Sequence, residues 1–245
     1  MWDSVEFNFL LKKIIPNRSV VHIFEKYLNK GDYILEGGCG NGAWVKYLNN
    51  IGYDCLGVDI NDEILKIAKE NDLNIRNDNI ESLSFEKNTF NAYLSLGVVE
   101  HNVDGPQNAI KEAFRVIKPN GYFFVSTPCN NIFRKIFNHP LRDLLNFYYK
   151  LRGKELYFVE YRFERDELIS YVKNGGFDIL EYIPNDYRLD SNKYSFGLYT
   201  DWPFLRSKKQ KYQLNMLGQV INWLLKTISP LLSVSGILIV AQKPK

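Results

Sequence analysis

Cysteine is scarce in this chain: Cys39, Cys55 and Cys129 are the whole set, and no two of them form a C-x-x-C pair. That excludes a disulfide framework and a zinc site of the usual spacing, so no metal is expected. Long apolar runs are missing as well. The longest uncharged stretch, residues 227–242, is 16 residues and contains Pro230 and Gly236, short of the ~20 that a membrane-spanning helix needs. No secretory leader is visible, because Met1-Trp2-Asp3-Ser4-Val5-Glu6 is acidic where a leader is basic, and Lys12-Lys13 soon interrupts the apolar residues. These absences read as a reducing, cytoplasmic setting. Charge of one sign is also lacking, since the net value is only +3, which argues against nucleic acid as a partner. The balance is uneven, however. Residues 1–200 hold 24 Lys and Arg against 27 Asp and Glu, whereas residues 201–245 hold 7 against 1. Such a basic tail suits a solvated helix face, phosphates or an anionic membrane.

With 245 residues, 45% of them hydrophobic, the chain can bury one sizeable core, and a single domain over 1–245 is expected. A helical region over about 4–28 precedes an alternation of short β-rich runs with helical patterns. Strands are expected at Tyr33–Glu36, Asp54–Val58, Asn74–Arg76, Ala92–Ser95, Tyr122–Ser126, Asp178–Ile183 and Ile237–Gln242, with helices near 42–50, 61–70, 106–117 and 165–174. That order implies a mostly parallel sheet covered by helices on both faces, with ligands beyond the strands' carboxyl ends. Two long segments, 127–165 and 184–235, leave from that edge and hold 17 of the 36 aromatics, as a substrate lid would. In the second, Met216, Leu217, Val220, Ile221, Leu224, Leu225 and Ile228 share one helix face. The spacing predicts docking on the protein's own core. Beside the basic cluster Arg206, Lys208, Lys209 and Lys211, it also suits peripheral membrane contact through 202–228.

The sharpest motif is Ile34-Leu35-Glu36-Gly37-Gly38-Cys39-Gly40-Asn41-Gly42, an apolar strand that runs into a glycine turn and then a helix start. Glycines at alternate positions let the backbone lie against a ligand, and free N–H groups collect at the helix N-terminus. Gly38 to Ala43 formally satisfies G-x-G-x-x-G/A, with Asp59 closing the next strand, which is one reading as an NAD(P) site. Glu36, Asp78 and the run Ser95-Leu96-Gly97-Val98-Val99-Glu100-His101 favour another ligand. A carboxylate facing the loop repels a pyrophosphate and suits a cationic amine.

In this order the motifs resemble the class I S-adenosylmethionine-dependent methyltransferases, most closely the small-molecule group called type 11. The resemblance runs over about 31–127: Glu36 with Gly38, Gly40 and Gly42; Gly57-Val58-Asp59-Ile60; Asp78 with Ile80; Phe90-Asn91-Ala92; Val98-Val99-Glu100-His101; and Phe114-Arg115-Val116-Ile117-Lys118-Pro119-Asn120-Gly121. Phe163-x-x-x-Glu167-Leu168 with Gly175-Gly176-Phe177 resembles the end of that fold. Two positions depart from the pattern, Gly37 for an apolar residue and Asn91 for an aspartate. The resemblance implies a Rossmann-like, doubly wound, seven-stranded sheet with an antiparallel last strand. It also implies S-adenosyl-L-methionine as cofactor, with Glu36 and the loop of Gly38, Cys39, Gly40 and Gly42 around its methionyl part and Asp59 on the ribose hydroxyls. Ile60 and Ile80 would pack the adenine faces, Asp78, with Asn79 beside it, would accept the exocyclic amine, and Leu96 would line the methionyl side. His101, after the fourth strand, is the candidate base. His22 reads as structural, His139 as a weaker candidate, and the Tyr148-Tyr149 pair as an acceptor wall or packing. The expected activity is methyl transfer to an O, N or C atom of a small-molecule or lipid-linked acceptor. The alternatives are an NAD(P)-dependent oxidoreductase and a non-catalytic, membrane-recruited accessory protein.

Overall fold

The computed structural model describes residues 4–130, 134, 136, 144, 147, 148, 150–153 and 160–245. Seven strands form one sheet: β1 (Tyr33–Gly37), β2 (Asp54–Asp59), β3 (Ile75–Asn77), β4 (Phe90–Leu96), β5 (Ile117–Pro128), β6 (Asp178–Asn185) and β7 (Gly236–Gln242). Their order is β3-β2-β1-β4-β5-β7-β6, and β7 alone runs antiparallel to its neighbours. Strand order reverses between β1 and β4, which is where a doubly wound sheet opens a crevice.

The strands are apolar throughout because both faces are covered, and alternate residues enter different cores. Leu35, Leu56, Val58, Tyr93, Phe123 and Ile239 pack under α5 (Gln107–Val116) and α6 (Arg165–Asn174). Ile34, Cys55, Leu94, Phe124 and Val240 face α2 (Val20–Tyr27) and α3 (Ala43–Asn50). The helix α4 (Asp62–Glu70) links β2 to β3.

Both departures from the motif pattern have local causes. Asn91 accepts the Tyr33 N–H at 3.2 Å and the Lys118 ammonium at 3.1 Å, tying the starts of β1, β4 and β5 together. At Gly37 the side-chain space is already taken, because a Cβ there would overlap the Tyr93 ring and hydroxyl. Gly37→Ala is therefore expected to destabilise the fold by about 1–3 kcal/mol through overpacking. Denaturant melts should show the loss shrinking when Tyr93→Leu is added, and equal losses in both backgrounds would refute the clash.

The N-terminal region comprises α1 (Ser4–Phe9), a π-helical turn over Leu10–Ile14, a 3-10 turn and α2. Phe7, Ile15 and Val21 cover Ala43 at the start of α3. Arg18 reaches the far side of the sheet, donating to Asn185 at 2.9 Å. The segment after β6 is anchored by Asp186, whose buried carboxylate accepts the N–H groups of Tyr187 and Phe196 at 2.6 Å, Gly197 at 3.3 Å and Ser235 at 3.1 Å. It carries α7 (Phe196–Asp201) and α8 (Met216–Ile228).

The expected docking of the apolar stripe of α8 on the core is corrected. Ile221 and Leu225 pack inward on Leu198, Leu205 and Leu214, but Met216, Leu217, Val220, Leu224 and Ile228 are exposed. What faces inward instead is Gly218 and Asn222. Gly218 allows close approach, since a Cβ would lie 3.0 Å from the Leu205 carbonyl, and Asn222 donates to the carbonyls of Asn192 and Tyr194 at 3.1 Å. The partners offered there are backbone oxygens, which an amide satisfies and a leucine leaves unpaired.

Candidate functional site

Two cavities open at the strands' carboxyl ends and meet at Gly97. The smaller, about 370 Å³, gathers Gly38, Asp59, Ile60, Asp78, Asn79 and Ile80 on one wall, with Val98, His101 and Asn102 opposite. Asp59, at the end of β2, accepts the Gly40 N–H through Oδ2 and the Asn61 N–H through Oδ1, both at 3.0 Å. One carboxylate thus fixes the glycine loop and still has lone pairs for hydroxyls. Gly40 has φ of +54°, and nothing lies within 4 Å of the place a Cβ would occupy. Ile60 is 69% exposed on the cleft wall.

Asp78 is heavily engaged by its own turn, accepting the Asn79 N–H at 2.9 Å and both the Ser84 N–H and hydroxyl, at 2.9 and 2.7 Å. The far end of that turn is clamped from α5. Arg115 donates to the Phe85 and Leu83 carbonyls at 2.7 and 2.8 Å, and Glu112 accepts the Leu83 N–H.

Three residues of the glycine motif, Cys39, Gly42 and Glu36, lie behind the cleft rather than on its wall. The Cys39 thiol packs under the loop against Gly57, and burial pushes its pKa up. Gly42 opens α3 with φ of +74°, and a Cβ there would collide with Leu73 and Ile75. Gly40 contributes its backbone to the loop. Glu36 is buried with Oε2 lacking a donor. Burial raises its pKa well above the ordinary value, Asp59 adds to the rise, and the Val45 N–H opposes it.

The larger cavity, about 440 Å³, is a charged chamber lined by Leu96, Trp44 and six ionisable residues: Arg18, Glu100, Arg134, Glu160, Arg162 and Asp201. Arg134 is buried, pairs with Asp201 at 2.6 Å and donates to the Cys129 and Ser235 carbonyls at 2.6 and 2.9 Å. Arg162 pairs with Glu160 at 3.0 Å. Among the described residues, Glu100 and Arg18 have no carboxylate or cation at that range. The Arg18 side chain donates to Asn185 and feels the nearby Asp186 carboxylate, and among the described residues its buried Nε has no acceptor. Glu100 is 1% exposed, and its Oε2 has no donor. Burial raises its pKa to about 7, against the backbone N–H groups of Glu100 and Val98 and the neighbouring His101, with Glu160 adding to the rise. Glu100 Oε1 would lie 3.6 Å from a Cβ on Gly97, so the carboxyl sits where the cavities join.

His101 lines the smaller cleft and not the chamber. His22 is exposed on α2 beside Glu25. Tyr148 is 46% exposed, whereas His139 and Tyr149 lie outside the described residues. Glu100 and Gly97 stood within a motif whose sequence marked only His101 and Leu96. Arg18 carried no local signal, because its partner is 167 residues away.

Residues 35–125 match the family described as Methyltransferase domain. A ubiquinone biosynthesis O-methyltransferase of Nitrosospira multiformis is 28% identical over 184 residues, spanning 70% of this chain and 73% of the relative. Among solved structures, a SAM-dependent methyltransferase of Methanosarcina mazei superposes with a TM-score of 0.60 at 21% identity, covering 91% of this chain and 97% of that one. Another, from Archaeoglobus fulgidus, gives 0.59 at 17% identity with 91% of each chain covered. The dinucleotide reading of the glycine loop gives way to these matches. Sheet order, crevice and these matches together support a class I S-adenosylmethionine-dependent methyltransferase.

Proposed function

We propose that the protein methylates a hydroxyl oxygen of a small-molecule or lipid-linked acceptor held in the 440 Å³ chamber. One observation carries the reading: a buried carboxyl, Glu100, whose Oε2 has no donor among the described residues, stands where the chamber meets the cleft. A carboxylate there can take the proton that a hydroxyl must lose on methylation.

The cleft fits S-adenosylmethionine on three counts. Open space beside Gly40 admits a ligand against the backbone, the unpaired Glu36 oxygen lies beneath the loop, and an exposed isoleucine offers a flat apolar contact. When bound, the cofactor supplies an electrophilic methyl carried on sulfur. Asp59 would accept the ribose hydroxyls while holding Gly40. Ile60 and Ile80 would flank the adenine, with Asp78 and Asn79 shaping the turn around its edge, and Glu36, beneath Gly38, Cys39, Gly40 and Gly42, would supply a carboxyl whose ionised form a cationic ligand favours. Leu96 would separate the methionyl end from the chamber. His101, on the cleft side, would act through Glu100, whose pKa it lowers.

Arg18 would meet an acceptor oxygen or anionic group through its guanidinium, since the other two chamber arginines already have carboxylates. The 127–165 and 184–235 segments would be walls of the acceptor site within one methyltransferase unit. A lipid-linked acceptor requires the enzyme at a bilayer, and the 202–228 segment is where we place that contact.

Calorimetry tests the cofactor assignment: S-adenosylhomocysteine should bind one-to-one with Kd on the order of micromolar, near −8 kcal/mol, and NAD should not. A set of phenols, quinol precursors and lipid-linked sugars, read by S-adenosylhomocysteine release, then tests the acceptor. Turnover of amines alone would refute the hydroxyl reading.

A further inference from the structure

The inverted packing of α8 leaves an apolar surface that the fold does not use. Met216 is 85% and Ile228 76% exposed, and Leu217, Val220, Trp223 and Leu224 are each about half exposed between them, whereas Asn222 on the opposite side is fully buried. At 100° per residue these six side chains fall in one arc of about 140°. The arrangement is fixed from inside, by the amide of Asn222 on two carbonyls and by Gly218 against Leu205. Rotating the stripe inward would bury leucines against unpaired carbonyls.

The surface continues beyond the helix. Phe204 is 62% exposed, and its carbonyl accepts the side-chain N–H of Asn215, the N-cap residue of α8, at 2.7 Å. Between them the chain folds back on itself, through the Arg206–Leu214 bridge and the Ser207 N–H on the Gln213 carbonyl, and the turn so formed holds exposed Lys208, Lys209 and Lys211 at the helix N-terminal end. Acidic residues are nearly absent: from 201 onward only Asp201 occurs, and it is paired with Arg134. Apolar side chains with a tryptophan on one face, and exposed Lys208 and Lys209 beside them, match the chemistry of an anionic bilayer surface. Among the described residues no helix is long and apolar enough to cross a membrane, so such contact would be peripheral.

We propose that α8 and the 203–211 turn dock on an anionic lipid bilayer, with Met216, Leu217, Val220, Trp223, Leu224 and Ile228 in the headgroup–acyl boundary and Lys208 and Lys209 on the lipid phosphates. This rests on the peripheral contact placed at 202–228 and gives it an orientation and a lipid chemistry. The adjoining helix α7 lines the acceptor chamber through Phe196, Thr200 and Asp201, so docking brings the chamber close to the bilayer. A lipid-linked acceptor then needs only a short excursion from the membrane.

Sedimentation with vesicles tests it, using phosphatidylcholine alone and phosphatidylcholine with about 30% phosphatidylglycerol. The full chain is expected to bind the anionic vesicles at low salt, at least about tenfold better than neutral ones, and to be largely released at about 0.5 M NaCl. Leu217→Ser with Trp223→Ser, and separately Lys208→Gln with Lys209→Gln, should each weaken binding about tenfold. Both double variants should leave the S-adenosylhomocysteine Kd unchanged, because neither touches the cleft. Equal binding to both vesicle types would overturn the anionic assignment while leaving membrane contact standing. Absence of binding at low salt, or a stable dimer that Trp223→Ser dissociates, would overturn both and give the face to another occupant. Failure of S-adenosylhomocysteine to bind would strike the cofactor reading alone.

Discussion

Glu100→Gln is expected to lower kcat by about 100-fold or more, the range over which a positioned base contributes, while the S-adenosylhomocysteine Kd stays within about twofold. Glutamine keeps an oxygen for the Val98 and Glu100 N–H groups, so the 3-10 turn over Val99–His101 should persist. The chemistry lost is proton uptake at Oε2, the atom without a donor. The pH profile supplies the discriminating measurement. The Glu100 pKa is raised from 4.5 to about 7, so the rate should climb with pH up to about 7 and then level, and the climb should vanish in the variant. A variant with full activity would return the base role to His101.

Stability gives a second readout that needs no acceptor. Because the native carboxyl holds its proton up to about pH 7 and the unfolded one releases it near 4.5, the native state binds more protons in that window. Stability contributed by this group therefore falls as pH rises from about 4.5 to 7, by about 3 kcal/mol at most. Glu100→Gln removes that loss, so the variant should melt above the wild type at pH 8, with the gap closing toward pH 5. A gap independent of pH would show that the raised pKa is wrong.

Asp59→Ala has the other large expected effect, a rise in the S-adenosylhomocysteine Kd of about 100-fold or more. Two losses combine. The ribose hydroxyls lose a charged acceptor, worth about 1.5–3 kcal/mol, and the Gly40 N–H loses the partner that holds the glycine loop in its binding shape. Asp59→Asn separates them, since the amide oxygen can still take one N–H while the charge is gone, and calorimetry should place it between wild type and alanine. Wild-type affinity in Asp59→Ala would remove the cleft assignment.

The order of strands and the position of the glycine turn were legible in the chain because both depend on short-range chemistry. Apolar runs of four to seven residues separated by helical periodicity have few other solutions than a parallel sheet. A strand that ends in Glu36-Gly37-Gly38 can only turn sharply. The same holds for Asp59, whose reach is set by its place at the end of β2. Sequence alone therefore determined the fold class, the cleft and most of its wall.

Only the tertiary structure decided the rest. Whether Glu100 or His101 of one short turn enters the chamber depends on a half-rotation of backbone that no periodicity encodes. Arg18 reaches that chamber because the N-terminal region packs over Ala43 and the segment beyond β6 brings Asn185 to it. The stripe on α8 was visible as a pattern, yet its direction was not. A helical period shows that apolar residues share a face, but which face turns inward is settled by the partners waiting there, here two backbone carbonyls that Asn222 satisfies and the close approach that Gly218 permits.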